Sequence, residues 1–391
     1  MAKPEIRLKG FKGEWSNISI TKIATLKAGK SFNKNDAVDF PMNGYYPCYG
    51  GNGQRGYVPY YNHEGTFNII GRQGALCGCV NIADGKFYAT EHAVLVTPIV
   101  DTDFVFLHES LVRANINQYA TGAAQPGISV ANVNAQLFLN MPLLEEQKAL
   151  GGYFKFLDSM IQGVTKKIAS LKQIKAASLI SMFPQNGETK PRVRFKGFEG
   201  EWKKKRLNEC LEISNERNFE NKYGKEDVLS VSDDYGVMNQ IELLGRSYAG
   251  KSVSNYGILK NGEIVYTKSP LKSKPFGIVK LNTGKTGIVS VLYAIYRAKE
   301  GTVADYIHYY FDPDWRLNDY LRPLVNKGAK NTMNISDEMA LTGCVMIPED
   351  IREQQRIASF FASLDKQISL QEQRLEKLKQ IKAACLDKMF V

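Results

Sequence analysis

The residues of this chain that could do chemistry lie in two glycine-rich runs and in a set of polar loops. Gly51-Asn52-Gly53-Gln54-Arg55-Gly56 fits the G-x-G-x-x-G pattern of dinucleotide sites. That chemistry needs a helix directly after the glycines, its N-terminus facing the pyrophosphate. Tyr57-Val58-Pro59-Tyr60-Tyr61 follows instead, β-formers with a proline, so no helix is expected there. Gly245-Arg246-Ser247-Tyr248-Ala249-Gly250-Lys251-Ser252 fits the phosphate-loop pattern G-x4-G-K-[ST] in full. Ile241-Glu242-Leu243-Leu244 is a candidate strand before it. Val253-Ser254-Asn255-Tyr256-Gly257 makes a poor first helical turn, and no apolar strand ending in Asp is present to hold magnesium. A P-loop nucleotide-dependent enzyme centred on Lys251 is therefore one alternative for the chain.

Other catalytic patterns are thin. His63, His92, His108 and His308 lie in apolar or Tyr-rich runs, where core positions are expected. No H-E-x-x-H, G-x-S-x-G or N-P-P-Y run occurs, so an enzyme working alone is not expected. The six Cys are scattered, and Cys77-Gly78-Cys79 is a lone pair of thiols without the spacing of a zinc site. No metal and no cofactor of the chain's own is expected. Cysteine usage fits a reducing cytoplasm. Met1-Ala2-Lys3-Pro4-Glu5 opens without an apolar stretch, so secretion is not expected, and no run of about 18 apolar residues suggests a membrane span.

What remains are Gly-rich loops carrying Asn, Gln, Arg, Lys and Tyr. These suit DNA: Arg and Lys pair with guanine edges, Asn and Gln with adenine edges, and Tyr packs on sugars or bases. In the first part of the chain they supply Asn52, Gln54, Arg55, Arg72, Gln73 and Gln125. In the second they supply Arg246, Tyr248, Lys268, Lys272, Lys274, Lys330 and Asn331. The 391 residues carry 51 Lys+Arg against 40 Asp+Glu, a formal charge of +11, which favours a polyanionic partner. A coiled-coil adaptor with β-rich protein- or carbohydrate-binding domains is the second alternative; absence of salt-dependent duplex binding would favour it.

The elements that must position these loops are duplicated. Lys3-Pro4-Glu5-Ile6-Arg7-Leu8-Lys9-Gly10-Phe11 through Trp15 returns as Lys190-Pro191-Arg192-Val193-Arg194-Phe195-Lys196-Gly197-Phe198 through Trp202, an offset of 187 (Trp202 minus Trp15). A second repeat runs from Glu146-Gln147 to Met182-Phe183 and again from Glu353-Gln354 to Met389-Phe390, an offset of 207 (Phe390 minus Phe183). Recurring pieces thus bracket two divergent ones, a single scaffold carrying two working surfaces.

The second repeat reads as a long helix with a heptad seam. Phe154, Ile161, Ile168 and Lys175 take position a, while Leu150, Leu157, Val164, Leu171 and Ser178 take d. The later copy places Phe361, Ile368, Leu375 and Lys382 at a, and Ile357, Leu364, Gln371, Leu378 and Cys385 at d. Such a seam predicts an antiparallel coiled coil of two helices, each about 57 Å long. Lys166, Lys167, Lys172 and Lys175 lack a nearby acid in sequence, so they read as a solvated face or one lying over a phosphate backbone. The divergent segments, about 16–142 and 203–349, read as α+β: short strands near 67–70, 87–89, 93–96, 263–266 and 287–293, with helices near 104–117 and 315–326. No βαβ rhythm is present, so a doubly wound sheet is not expected.

Taken in order, these features resemble the specificity subunits of type I restriction-modification systems. The likeness rests on Tyr46-Pro47-Cys48-Tyr49-Gly50-Gly51-Asn52-Gly53 with Gly56-Tyr57, and on Gly122 followed by Ile128-Ser129 with Gly328 followed by Ile335-Ser336. It rests also on the junctions Met141-Pro142 to Glu146-Gln147 and Ile347-Pro348 to Glu353-Gln354. It spans the whole chain, although the second half lacks the Tyr-Pro-x-Tyr-Gly-Gly loop. The resemblance implies two target-recognition domains (1–143 and 185–349) and two spacer helices (144–184 and 350–391) in a pseudo-twofold repeat. It implies a non-catalytic reader of a split, asymmetric site in double-stranded DNA. Two methylation subunits carrying S-adenosylmethionine, and motor-nuclease subunits using ATP and magnesium, are the implied partners.

Overall fold

A computed structural model describes residues 3–122, 126–268, 270, 274–327 and 333–391. The chain divides into two compact units: Met1–Lys166 with Glu372–Val391, and Lys167–Gln371. Each unit therefore contains part of each long helix.

In the first unit, an antiparallel sheet runs in the order Ala24–Ala28, Ala93–Pro98, Phe67–Gly71, Val80–Ala83. Its central strands are buried along most of their length, as expected for a sheet covered on both faces. One cover is the helix Phe104–Arg113, whose Phe106, Leu107 and Leu111 join Ile70, Val94 and Val96 in one core. The other is a sheet in the order Gly53–Val58, Tyr46–Gly50, Lys86–Ala89, His63–Glu64. Asp103 caps the helix by accepting from the Phe106 N–H at 2.8 Å. The long helix passes so close to this cap that a Cβ at Gly151 would collide with the Asp103 carboxylate.

The second unit repeats the plan with a sheet in the order Leu211–Ile213, Tyr293–Ala298, Ile264–Thr267, Ile278–Leu281. Two helices cover it, Ala304–Phe311 and Asp314–Leu321, where sequence suggests one near 315–326. Ala304–Phe311 carries Tyr306, Ile307, Tyr309, Tyr310 and Phe311 buried, a composition of weak helix propensity that burial overrides. Pro313 separates the two helices, since it cannot continue the first but fits just before the second.

The long helices are Leu144–Ser181 and Ile351–Met389. Within the first unit Phe154 packs edge-on to Phe390, and Lys382 Nζ reaches Asp158 at 2.7 Å. Within the second, Phe361 stacks on Phe183 and Lys175 Nζ reaches Asp365 at 2.8 Å. Numbers rise on one helix as they fall on the other, so the helices run antiparallel. Shifting either contact by the 207-residue offset generates the other, so the sequence repeat is also a repeat of contacts within each unit. Phe154, Leu157, Ile168, Leu171, Phe361, Leu364, Ile368 and Leu378 are buried, and Ile161 and Leu375 half-buried. Lys175 does not lie on an open basic face: Asp312 at 3.0 Å and Asp365 hold it.

The shorter repeat closes each unit. Ile6 N–H donates to the Lys388 carbonyl (3.0 Å), and Val193 N–H to that of Ser181 (2.9 Å). Arg7 forks onto Glu146 and Arg194 onto Glu353, both acids almost wholly buried. The adjoining Gln147 and Gln354 donate to the Pro142 and Pro348 carbonyls, and accept from the Asp103 and Val303 N–H groups at the domain helices. The repeated Glu-Gln pair is thus the joint between head and long helix.

Candidate nucleic-acid interface

In the first domain, three polar segments meet at one end of the main sheet. The hairpin of Tyr46–Gly50 and Gly53–Val58 carries Asn52 in its turn and Gln54 and Arg55 at the start of its second strand, all exposed. It packs backbone to backbone on the segment after Phe67–Gly71: a Cβ on Gly51 would strike the Gln73 carbonyl, and one on Gly71 the Gly51 carbonyl. This contact sets Asn52 beside Gly74. Thr121 and Gly127 belong to a small strand pair tied to the same segment, through Ile128 N–H to the Arg72 carbonyl (2.8 Å) and Gly74 N–H to the Pro126 carbonyl (3.0 Å).

Arg72 is the best-placed cation of this group. Its Nε donates to the Ile128 carbonyl at 3.2 Å, which fixes the guanidinium plane and leaves the two terminal nitrogens for a ligand. With Gln73, Glu91, His92, Thr121, Gly127, Ile128 and Ser129 it lines an open recess of about 360 Å³. An arginine fork beside an amide side chain in a recess can address base edges. Arg55 is held over the Phe32 ring at 5.1 Å.

His92 departs from the expected core role: its side chain is 37% exposed and its Nε2 lies 3.4 Å from Glu91. His63 is half-buried, its pKa lowered by burial and then by Lys27 and Lys30. His108 and His308 are half-buried on the domain helices Phe104–Arg113 and Ala304–Phe311, each pushed down to about 4 chiefly by burial. Sequence reasoning missed Glu91 and His92 as members of the recess. Their signal was a Thr-Glu-His turn directly before an apolar strand.

In the second domain the predicted residues separate. Arg246 and Tyr248 are exposed and stack on each other at 4.6 Å, after the short helix Gln240–Leu244. Lys268, at the end of Ile264–Thr267, pairs with Asp337. Lys274 is a correction: only 4% of its side chain is exposed, and it is ion-paired to Asp233 and Asp314 (3.1 Å), so it braces the hairpin Leu229–Ser232/Gly236–Asn239. Burial opposes ionisation of Asp233, yet Lys274 and Lys280 hold its carboxyl below the usual range. Gln125, Lys272, Lys330 and Asn331 lie outside the described residues.

Neither glycine pattern keeps its nucleotide geometry. Gly51 and Asn52 are a hairpin turn and Gly53–Gly56 already belong to the strand that follows it. Gln240–Leu244 is a helix where a phosphate loop needs a strand, and Gly245 ends it in the left-handed region (φ 77°). The stretch from 246 to 256 forms no helix, so the loop has no helix N-terminus to offer a phosphate. The basis for the P-loop alternative is removed. Among the described residues no three His, Cys, Asp or Glu side chains group as a metal site, and no helix is long and apolar enough to cross a membrane.

These features define a class: a tandem α+β protein with two unlike polar heads, each packed on antiparallel stretches of the two long helices within its own unit. The chain belongs to the type I restriction modification DNA specificity domain family, whose model matches residues 12–173 and 199–380. It is 38% identical over 151 residues to the specificity subunit of the Escherichia coli type I restriction enzyme EcoprrI, covering 38% of this chain and 37% of that protein. It is 26% identical over 156 residues to a putative type I restriction enzyme specificity subunit of Haemophilus influenzae, covering 39% and 38%. The matched stretches thus span under two fifths of those curated relatives. The fold is similar to the crystal structure of the S subunit of a type-I restriction-modification system from M. genitalium, with a TM-score of 0.67 over 100% of this chain and 99% of that one at 14% identity.

Proposed function

We propose that this chain is the DNA-reading subunit of a type I restriction-modification assembly. It reads a bipartite, asymmetric site in double-stranded DNA, the head within 1–143 taking one half and the head within 185–349 the other. The spacer helices, within 144–184 and 350–391, set the gap. The chain performs no chemistry itself. Two methylation subunits bring S-adenosylmethionine and methylate adenine, and motor-nuclease subunits using ATP and magnesium cut unmodified DNA, all in the cytoplasm.

The observation that carries this reading is the recess around Arg72, where a fixed guanidinium, Gln73 and His92 converge on a surface wide open to solvent. Arg55, Asn52 and Gln54 flank it, and the formal charge of +11 supplies attraction to phosphates. The test is sequencing of modified bases in a host carrying this chain with a methylation partner. A two-part motif with a fixed gap is expected. Methylation without such a motif overturns the proposal.

A further inference from the structure

One turn recurs in both heads with the same hydrogen bonds and opposite chemistry. In the first it is Thr90-Glu91-His92-Ala93: Ala93 N–H donates to the Thr90 carbonyl (2.9 Å) and His92 N–H to Thr90 Oγ1 (3.3 Å). In the second it is Ser290-Val291-Leu292-Tyr293: Tyr293 N–H donates to the Ser290 carbonyl (3.0 Å) and Leu292 N–H to Ser290 Oγ (3.3 Å). Each turn leads into the strand paired with the one that ends at a candidate DNA cation. Ala93 pairs with Gly71, next to Arg72, and Tyr293 pairs with Thr267, next to Lys268. The first turn lines the Arg72 recess with a carboxylate and an imidazole. The second presents two branched aliphatic side chains to solvent, Val291 57% and Leu292 68% exposed.

Accepting the DNA-reading role proposed above, we infer that this turn is a specificity element in both heads, and that Val291 and Leu292 in the second make apolar contact with the C5-methyl group of a thymine. The turn side chains are free of internal work in the second head, since they project from the end of the sheet rather than into a core. A DNA edge offers an aliphatic pair one matching group, the thymine methyl in the major groove. In the first head the same place holds Glu91 and His92, which match hydrogen-bonding edges: a carboxylate accepts from the cytosine amino group. The two heads thus read unlike half-sites with one backbone device.

The test starts from the modified-base motif of the full chain with its methylation partner. The half-site read by the second head is identified by a Lys268→Ala or Arg246→Ala variant. That half-site contains at least one thymine. Replacing the contacted thymine by deoxyuridine, which lacks only the methyl, weakens binding of the wild-type complex about fourfold, the value of one buried methyl. The same replacement has no effect on the Leu292→Ser complex, whose motif is relaxed at that base only. A second half-site without thymine overturns the inference, as does an equal deoxyuridine effect in both complexes. Methylation lost at every site with an unrelaxed motif also overturns it, marking Leu292 as a contact for a protein partner. Absence of any two-part motif in the wild type instead overturns the DNA-reading role itself.

Discussion

Lys175 Nζ sits 2.8 Å from Asp365 across the two long helices, at a heptad position where an apolar residue would be the stabilising choice. Lys382 repeats the arrangement 207 residues later (Lys382 minus Lys175), 2.7 Å from Asp158. Each lysine also takes an acid from the adjoining head, Asp312 just past the helix Ala304–Phe311 at 3.0 Å and Glu109 on the helix Phe104–Arg113 at 2.8 Å. Burial works against both ammonium groups, and the paired carboxylates outweigh it, so both pKa values end above the ordinary lysine range. A charged a position of this kind fixes register and, here, fastens each head to the helix pair.

Asp312→Ala is expected to destabilise the protein by about 3 kcal/mol, because it leaves Lys175 half-compensated in a largely buried place. The double variant Asp312→Ala/Lys175→Met, which removes both charges and keeps the lysine stem, is expected to cost less than Asp312→Ala alone, since the remaining Asp365 is 39% exposed and can be solvated. Urea unfolding of the two variants checks this. Equal losses would mean that the stranded charge is not what matters at this position.

The repeat, the seam and the antiparallel pairing were legible in the sequence because heptad spacing and an identical offset are local signals. The duty of Lys175 and Lys382 was not. Their acids, Asp312 and Glu109, lie in the heads far away in sequence, so Lys175 read as part of a solvated face and Lys382 as a plain heptad position. The same holds for Lys274, whose partners Asp233 and Asp314 come from a hairpin and a helix that only the fold unites. Helix Ala304–Phe311 was hidden because its tyrosine-rich run has weak helix propensity and reads as readily as a strand. In the candidate site, Arg72, Gln73 and the Asn52 turn were visible as glycine-rich loops. Glu91 and His92 were not, because a short turn between apolar strands looks the same whether its side chains face a core or a ligand.

Arg72 and Lys274 separate reading from bracing. Arg72→Ala is expected to cost about 1–3 kcal/mol of binding to the cognate site and to relax one base of the first half-site alone. Lys274→Ala is expected to leave the modified-base motif unchanged while lowering unfolding stability by about 3 kcal/mol, since two carboxylates lose their buried partner. Binding titrations on cognate and random duplexes, with melting curves for both variants, distinguish the two. An equal loss for Arg72→Ala on random DNA would make it a phosphate contact.

If the helices set the gap, shortening them must shorten it. Removing one heptad from each helix, 161–167 with 368–374, keeps the seam in phase and takes out about 10 Å, roughly three base pairs. The modified-base motif should retain both half-sites with fewer bases between them. Altered half-sites with an intact gap would contradict the proposed division of labour.

Stability should fall in mildly acid solution, and His308 should be a main cause. Burial holds its imidazole pKa near 4, with the Lys280 and Lys175 charges also lowering it and Asp312 and Asp365 raising it. The unfolded chain binds a proton near pH 6.5. The folded state therefore excludes a proton that the unfolded state accepts, and this contribution is complete above pH 6.5 and lost as pH falls toward 4. The loss is on the order of 3 kcal/mol. The Asp233 and Asp312 carboxyls, held below their usual range, add losses of the same sign at lower pH. Melting curves from pH 7.5 to 4.5 should slope downward for the wild type and more gently for His308→Phe. Parallel curves would place the pH sensitivity elsewhere.

The repeat docks an equivalent segment on the end of each long helix. Residues 190–202 follow the first long helix and fold back on its end, with Val193 bonded to Ser181 and Trp202 packed against Phe183. Residues 6–15 make the same contacts on the end of the second helix, with Ile6 bonded to Lys388 and Trp15 against Phe390, although no peptide bond links them. Joining Val391 to Lys3 through a linker copied from 184–189 should therefore be tolerated. Opening the chain between Gly187 and Glu188, in an exposed turn with Gly187 at φ +84°, removes only local hydrogen bonds. Such a permutant should unfold within about 1 kcal/mol of the natural order, because no buried contact is lost. It should also direct methylation to the same bipartite motif. A permutant that folds but changes the gap would show that the 184–189 connection, and not the docked segments, holds the helices in register.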